Sequence, residues 1–78
     1  MQLTYDEMAD AVYVYFNQAP IDHTEEIHDG TAIVDYDADG VPVGVEFMDV
    51  SEGIDLRRVP RADEIARLLE DYPFPVMA

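Results

Sequence analysis

The sequence contains no cysteine and no lysine, and these absences limit the chemistry open to the chain. Without cysteine there is no disulfide, no thiolate zinc site and no thiol nucleophile. The four basic residues are all arginine and face 18 aspartates and glutamates, which gives a formal net charge of -14 over 78 residues. Such a surface repels nucleic acid and anionic membranes, so the sequence predicts neither as a partner.

Long apolar runs are also missing. No stretch approaches the roughly 18 consecutive apolar residues of a transmembrane helix. The opening residues, MQLTYDEMADA, lack the basic and apolar regions of a signal peptide, so we expect a cytoplasmic protein. Hydrophobic residues nevertheless make up 49% of the chain, which is enough for a folded domain. The length predicts a single domain, residues 1–78.

Alternating β-branched and aromatic residues predict a sheet in the first fifty residues. The strongest strand signal is AVYVYF, residues 11–16. Val12 and Val14 point to one face of such a strand. Tyr13 and Tyr15 point to the other. Further strands are predicted at residues 3–5, 23–30, 31–37 and 41–50.

The spacing of the apolar residues changes towards the C-terminus. Apolar residues recur at helical spacing at Ile65, Leu68, Leu69 and Tyr72. Pro60 favours a helix start and Pro73 a stop, so we predict one amphipathic helix of about three turns. The predicted fold is α+β: an antiparallel β-meander of four to five strands in residues 1–50, followed by a helix packed on one face and an apolar tail in residues 54–78.

One helix covers only one face of a sheet, yet both predicted faces carry apolar residues. Tyr13 and Tyr15 lie opposite the valines of their strand, and Met48 and Val50 lie opposite Phe47. An uncovered apolar face is typical of an interface. We therefore expect a homodimer with two-fold symmetry.

The stretch DYDADGVPVGVE, residues 35–46, has the spacing of an EF-hand calcium loop. The flanking residues alternate as strands do, whereas an EF-hand needs helices, and Gly40 suits a tight turn. We interpret the stretch as a hairpin and predict no metal site and no cofactor. Asp35, Asp37 and Asp39 are the candidates for weak cation binding.

Catalytic residues are not apparent, and we expect a protein that is not an enzyme. Ser51 is the only serine and lies in no nucleophile motif. His23 and His28 fall on opposite faces of a strand, which argues against a shared metal site. Asp6 and Asp10 favour turn capping, with acid–base catalysis by the pair as the weaker alternative.

Three segments together resemble the YuzE-like family of small bacterial domains of unknown function: LTYDEMADAVYVYF, EEI and VDYDADGVPVGVEFMDVS. The residues that carry the resemblance are Tyr5, Asp6, Ala9, Asp10, Tyr13, Asp35, Asp39, Gly40, Gly44 and Glu46. The resemblance implies a compact β-meander with a following helix, no established enzyme activity, and an antitoxin-like role beside a small basic protein. It transfers no catalytic residue.

The acidity itself has three interpretations: it confers solubility, it binds cations, or it provides a surface whose charge is complementary to that of a basic protein. We expect the last, a protein-interaction module that binds a small basic protein. The alternatives are a divalent-cation or small-ligand binder at the hairpin loop from Asp35 to Asp39, and a structural or regulatory domain whose acidity only confers solubility. The expected apolar anchors for the partner are Leu68, Leu69, Tyr72, Phe74 and Val76. A competing interpretation is that Phe74 and Val76 fold back and seal the core.

Overall fold

A computed structural model describes all 78 residues as a five-stranded antiparallel sheet with the C-terminal part of the chain packed on one face. The strands of this sheet are β1 (Gln2–Asp6), β2 (Ala11–Tyr15), β3 (His23–Ile27), β4 (Ala32–Tyr36) and β5 (Pro42–Met48). The remaining elements are the 3₁₀ turns His28–Gly30 and Val50–Glu52, the short strands β6 (Ile54–Asp55) and β7 (Val76–Met77), and the helix α1 (Ala62–Leu69). The predicted α+β class, with antiparallel strands and one C-terminal helix, is confirmed.

The longest strand, β5, lies at the centre of the sheet. The strand order is β1-β2-β5-β4-β3, and every neighbouring pair is antiparallel. After β2 the chain crosses to the far edge as β3 and returns through β4 to β5. Of the five strands of this sheet, β5 comes last in the sequence, and it joins the pair β1–β2 to the pair β3–β4.

The core lies between one face of the sheet and the C-terminal segments. Val14 and Val45, which pair across β2 and β5, have no exposed surface, and Val12 pairs with Phe47 in the same layer. Residues that follow β5 complete the core: Val50, Ile54, Leu56, Val59, Ile65, Leu69 and Phe74. Each fully buried aliphatic or aromatic side chain contributes about 1.5–3 kcal/mol, so this layer is the main source of stability.

Helix α1 has eight residues and is about one turn shorter than predicted. Its first turn is fixed by Arg61, whose guanidinium donates to the Glu64 carboxylate at 2.9 and 2.7 Å and lies 5.0 Å from the centre of the Phe16 ring. The helix ends early because the Tyr72 N–H bonds to the Leu69 carbonyl at 3.0 Å, a tight turn that leads the chain away from the helix axis.

The apolar tail folds back onto the protein. The Ile54 N–H donates to the carbonyl of Pro75 at 2.8 Å, and β7 forms a parallel pair with β6. The ring of Phe74 is buried and lies 5.0 Å from Tyr5 and 5.7 Å from Tyr72, centroid to centroid. The tail thus closes the core. Nowhere does the structure contain a helix of the length and apolarity that crossing a bilayer requires.

The second face of the sheet differs from the predicted one. The alternation places Val50 on this face, but Val50 lies in a 3₁₀ turn and is fully buried in the core. The reason is Asp49, whose left-handed backbone (φ 53°) turns the chain towards the covered face after β5 ends. Met48 is therefore the last apolar residue of β5 on the uncovered side.

Candidate functional site

The face of the large sheet turned away from α1 has no helix or strand packed on it, and we call it the open face. Strand register places alternate residues of all five strands there. They are Gln2, Thr4, Asp6, Ala11, Tyr13, Tyr15, Thr24, Glu26, Ile33, Asp35, Gly44, Glu46 and Met48. The set contains carboxylates and tyrosines but no arginine and no histidine.

A hydrogen bond across β5 organises the centre of the open face. The Tyr13 hydroxyl donates to Oδ2 of Asp35, although Tyr13 pairs with Glu46 and Asp35 pairs with Gly44. The ring of Tyr13 therefore lies diagonally over Gly44. A Cβ atom at Gly44 would be 2.6 Å from the Tyr13 hydroxyl oxygen and 2.7 Å from its Cε1. Only glycine allows this approach at the centre of the sheet.

Asp35 is the only charged residue that is buried, with 7% of its surface exposed. A buried carboxylate is costly unless a donor compensates it, and Tyr13 supplies that donor. Burial raises the pKa of Tyr13 well above its ordinary value, and the hydrogen bond and the charge of Asp35 raise the pKa further. The hydroxyl therefore stays protonated at neutral pH and remains a donor, which holds the Tyr13 ring in place.

A groove lies beside the two tyrosines of β2, bordered by the loop at residues 17–21. Its volume is about 320 Å³, and its lining includes Tyr13, Tyr15, Gln18 and Ile21. The two tyrosine rings are 4.4 Å apart between centroids and tilted by 51°. Tyr15 and Ile21 are exposed. The groove thus offers aromatic and aliphatic surface with an amide at its rim.

The negative charge is distributed unevenly along the chain. All four arginines lie at or after residue 57, where four acidic residues balance them. The first 56 residues hold fourteen aspartates and glutamates and no arginine or lysine, so they account for the whole formal charge of -14. The open face belongs entirely to this segment, so every charged side chain on it is acidic.

The three aspartates of the hairpin loop do not converge on one site. Asp35 bonds to Tyr13, whereas Oδ1 of Asp37 accepts the N–H groups of Asp39 and Val41, both at 2.9 Å. These bonds close the hairpin between β4 and β5, and Gly40 has the positive φ (78°) that the turn requires. The hairpin is confirmed, and no three His, Asp or Glu side chains are arranged as a metal ion would need.

Asp6 and Asp10 have separate structural contacts. Oδ1 of Asp6 accepts the Ala9 N–H at 3.1 Å and so caps the turn between β1 and β2. The Asp10 carboxylate accepts the backbone N–H of Ser51 at 3.0 Å and its hydroxyl at 2.7 Å. This second contact joins the β1–β2 turn to the 3₁₀ turn after β5. Both carboxylates thus hold turns in place.

The two histidines also lie in different environments. The ring of His23 stacks on Tyr36 with centroids 5.1 Å apart. A ring nitrogen of His28 lies 2.7 Å from the Arg57 carbonyl oxygen, and the other lies 3.6 Å from Asp55. Two side-chain hydrogen bonds from Arg57 hold the pKa of Asp55 below its usual range. The contacts of His28 join the 3₁₀ turn that follows β3 with β6 and the residues just after it.

The five predicted anchors do not form one exposed surface. Leu69 and Phe74 are 2% and 9% exposed and belong to the core, so a partner cannot reach them while the chain keeps this fold. Leu68 and Tyr72 pack partly against the core. Val76 lies in β7 and is 38% exposed. The structure places Phe74 in the core, as the competing interpretation of the tail expected, whereas Val76 remains exposed.

Residues 2–51 match the model of a family described as Protein of unknown function (DUF2283). The chain belongs to the DUF2283 family. The DUF2283 segment contains all five strands of the large sheet and every residue of the open face, whereas α1 and β7 lie outside it. No curated protein matches the chain, and no solved structure does.

Four residues that carry the sequence resemblance meet on the open face: Tyr13, Asp35, Gly44 and Glu46. Sequence reasoning placed Asp35 on the strand that leads into the hairpin and Tyr13 on the face opposite the valines, and it missed the bond between them. The available signal was Gly44, because an isolated glycine inside a strand often marks a close approach of another group. Identifying that group requires the strand order.

Proposed function

We propose that this DUF2283 domain is a non-enzymatic module that binds a basic segment of another protein on its open face. The observation that carries the proposal is the combination of tyrosines and carboxylates on a face with no basic side chain. Tyr13 and Tyr15 provide rigid aromatic surface, on which arginine and lysine side chains bind through cation–π contacts. Glu46 and Glu26 lie in the same cross-strand row as Tyr13 and provide negative charges for the basic side chains.

Charge and aromatic area have different parts in this binding. The fourteen acidic residues of the first 56 attract a basic protein over a distance and accelerate its encounter with the sheet. The affinity then comes from desolvated aromatic contacts, since tyrosine is among the residues that dominate binding energies at interfaces. Tyr13 is already held by Asp35, so little conformational freedom is lost when a partner covers it.

The occupied carboxylates support a binding role over a catalytic one. Asp35 accepts the Tyr13 hydroxyl, and Asp10 accepts two hydrogen bonds from Ser51. The hydrogen bonds of both carboxylates are made within the protein, where they fix the Tyr13 ring and the turn at Ser51. The cation-binding alternative lacks support in the geometry because Asp37 accepts two backbone N–H groups of its own loop.

The resemblance to the YuzE-like domains supports a more specific form of the proposal. In this form the domain acts in the cytoplasm in an antitoxin-like role, and its partner is a small basic protein. The homodimer expected from the sequence remains a prediction, although its main reason is weakened. The open face carries Glu26, Asp35 and Glu46 beside its tyrosines, and two like faces repel each other at low salt.

A binding titration tests the proposal. The probe is a fluorescent ten-residue peptide that alternates arginine and valine, measured by anisotropy against the intact protein. We expect saturable binding that weakens with salt and falls at least fivefold in Tyr15→Ala and in Glu46→Gln. The matched control is Glu70→Gln, which removes the same charge from an exposed residue after α1.

The control separates a specific surface from general attraction. If Glu70→Gln weakens binding as much as Glu46→Gln, the peptide responds only to net charge and the open face is not the site. Melting temperatures of all variants show whether each remains folded. Absence of binding to the wild-type protein at low salt would overturn the proposal.

A further inference from the structure

Strand β3 is an edge of the large sheet whose outer side has no partner. Its backbone pairs with β4 alone, and no turn, loop or side chain of the protein bonds to the other side of His23–Ile27. Four of its five residues are exposed, and only Ile27 is partly buried. Such an edge presents free N–H and C=O groups and is a template for a further strand.

The opposite edge, β1, contacts the C-terminal tail through one side chain. The ring of Tyr5 lies 6.4 Å from the ring of Tyr72 and 5.0 Å from that of Phe74, centroid to centroid. The residues of β3 have no comparable neighbour and contact chiefly β4 and the turn that follows. Both edge strands are exposed along four of their five residues, and β3 carries two acidic residues where β1 carries one.

Charge indicates which strand fits this edge. Glu25 and Glu26 lie in β3, Asp22 precedes it and Asp29 follows it, with no arginine or lysine between them. A second copy of β3 would bring glutamates against glutamates, and like charges on paired strands are destabilising. Charged edge strands prevent self-pairing in this way. A basic strand meets no such repulsion and gains opposite charges on both faces.

The register links this edge to the open face. Thr24 pairs with Asp35 and Glu26 pairs with Ile33, so both extend the rows of the open face to the rim of the sheet. A strand added to β3 continues these rows, and every second side chain of that strand lies on the open face. A basic residue beside Glu26 would then stand next to the carboxylate at the end of its row.

From these relationships we infer that the basic partner enters as a sixth strand, an extended segment with basic residues at alternate positions that bonds to β3 through its main chain. The inference rests on the proposed function and adds the conformation of the partner and its point of entry. In this mode of recognition the main-chain bonds supply affinity, and alternate side chains supply specificity.

An NMR titration with two peptides tests the inference. The first is the alternating arginine–valine peptide, and the second has the same sequence with its central backbone nitrogens methylated, which keeps the side chains but removes the donors. We expect the first peptide to protect the amides of His23–Ile27 from hydrogen exchange and to bind at least tenfold more tightly than the second. Glu26→Gln should weaken the first peptide, and Glu70→Gln should not.

The possible outcomes distinguish this inference from the proposed function. Equal binding of both peptides, with changes confined to Tyr13, Tyr15 and Glu46, overturns strand addition but leaves open-face binding standing. No binding of either peptide at low salt overturns both. Protection of the β3 amides that depends on protein concentration without peptide identifies a second copy as the occupant and overturns the inference.

Discussion

The hydroxyl of Tyr13 on β2 donates a hydrogen bond to the carboxylate of Asp35 on β4, across the full width of the strand between them. The bond forms because Gly44, in β5, leaves room for the tyrosine ring. It connects three strands at the centre of the open face and satisfies the one buried carboxylate of the protein.

Replacing Tyr13 by phenylalanine should lower the free energy of unfolding by about 1–3 kcal/mol at neutral pH, because the buried Asp35 carboxylate loses its donor. Urea denaturation measures the change. Tyr15→Phe is the matched control, since the more exposed Tyr15 hydroxyl donates to no side chain in the structure, and it should change stability little. Equal losses in the two variants would contradict the assigned role of the bond.

The same bond predicts a dependence on alkaline pH. The pKa of Tyr13 in the folded state lies above the value of about 10 for an unfolded tyrosine, so the folded protein holds this proton more tightly. The resulting stabilisation is complete below about pH 10 and is lost as the pH rises towards the folded pKa. Wild-type protein should therefore lose more stability than Tyr13→Phe above about pH 10, measured by urea denaturation. Parallel profiles would show that Tyr13 titrates normally.

Gly44→Ala should destabilise the fold by about 1–3 kcal/mol through overpacking. Its Cβ would lie 2.6 Å from the Tyr13 hydroxyl and 2.7 Å from the Val14 carbonyl oxygen, and the latter belongs to a paired strand that cannot easily move. Gly40→Ala is the comparison, because the space beside Gly40 is empty and only its positive φ opposes a side chain. That control should cost about 1 kcal/mol. A neutral Gly44→Ala would contradict the close approach of both the Tyr13 ring and the Val14 carbonyl to Gly44.

Deleting residues 73–78 should lower the melting temperature clearly, because it removes β7 and the buried ring of Phe74. Phe74→Ala alone should cost about 3 kcal/mol, within the range for buried aromatic residues. Met77→Ala serves as the control at an exposed position of the same tail and should have little effect. Differential scanning calorimetry measures all three. An unchanged melting temperature after truncation would restore the tail as a surface for partners.

Calcium at millimolar concentration should leave the melting temperature nearly unchanged, since a ligand stabilises a protein only by binding its folded state. Asp37→Ala should cost about 1 kcal/mol in the absence of calcium, because the loop loses two hydrogen bonds to backbone N–H groups. Thermal melts with calcium or EDTA test both statements. A saturable upward shift that Asp37→Ala abolishes would identify the loop as a cation site.

Much of the secondary structure was predictable because its signals are local. The alternation that sets Val12 and Val14 against Tyr13 and Tyr15 follows from the period of a strand, and the structure buries the valines while leaving the tyrosines on the open face. Gly40 marked the hairpin turn for a similar reason, since few other residues tolerate its positive φ.

The sequence by itself thus determined the five strands of the large sheet, the two faces of β2, the hairpin and an amphipathic helix, all of which depend on residues close together in the chain. Only the tertiary structure decided that β5 lies between β2 and β4, and with it the bond from Tyr13 to Asp35. The same holds for the contact of Asp10 with Ser51 and for the return of Phe74 to the core. These features depend on strand order and long-range packing, whose free energy belongs to the whole fold and leaves little trace in local sequence patterns.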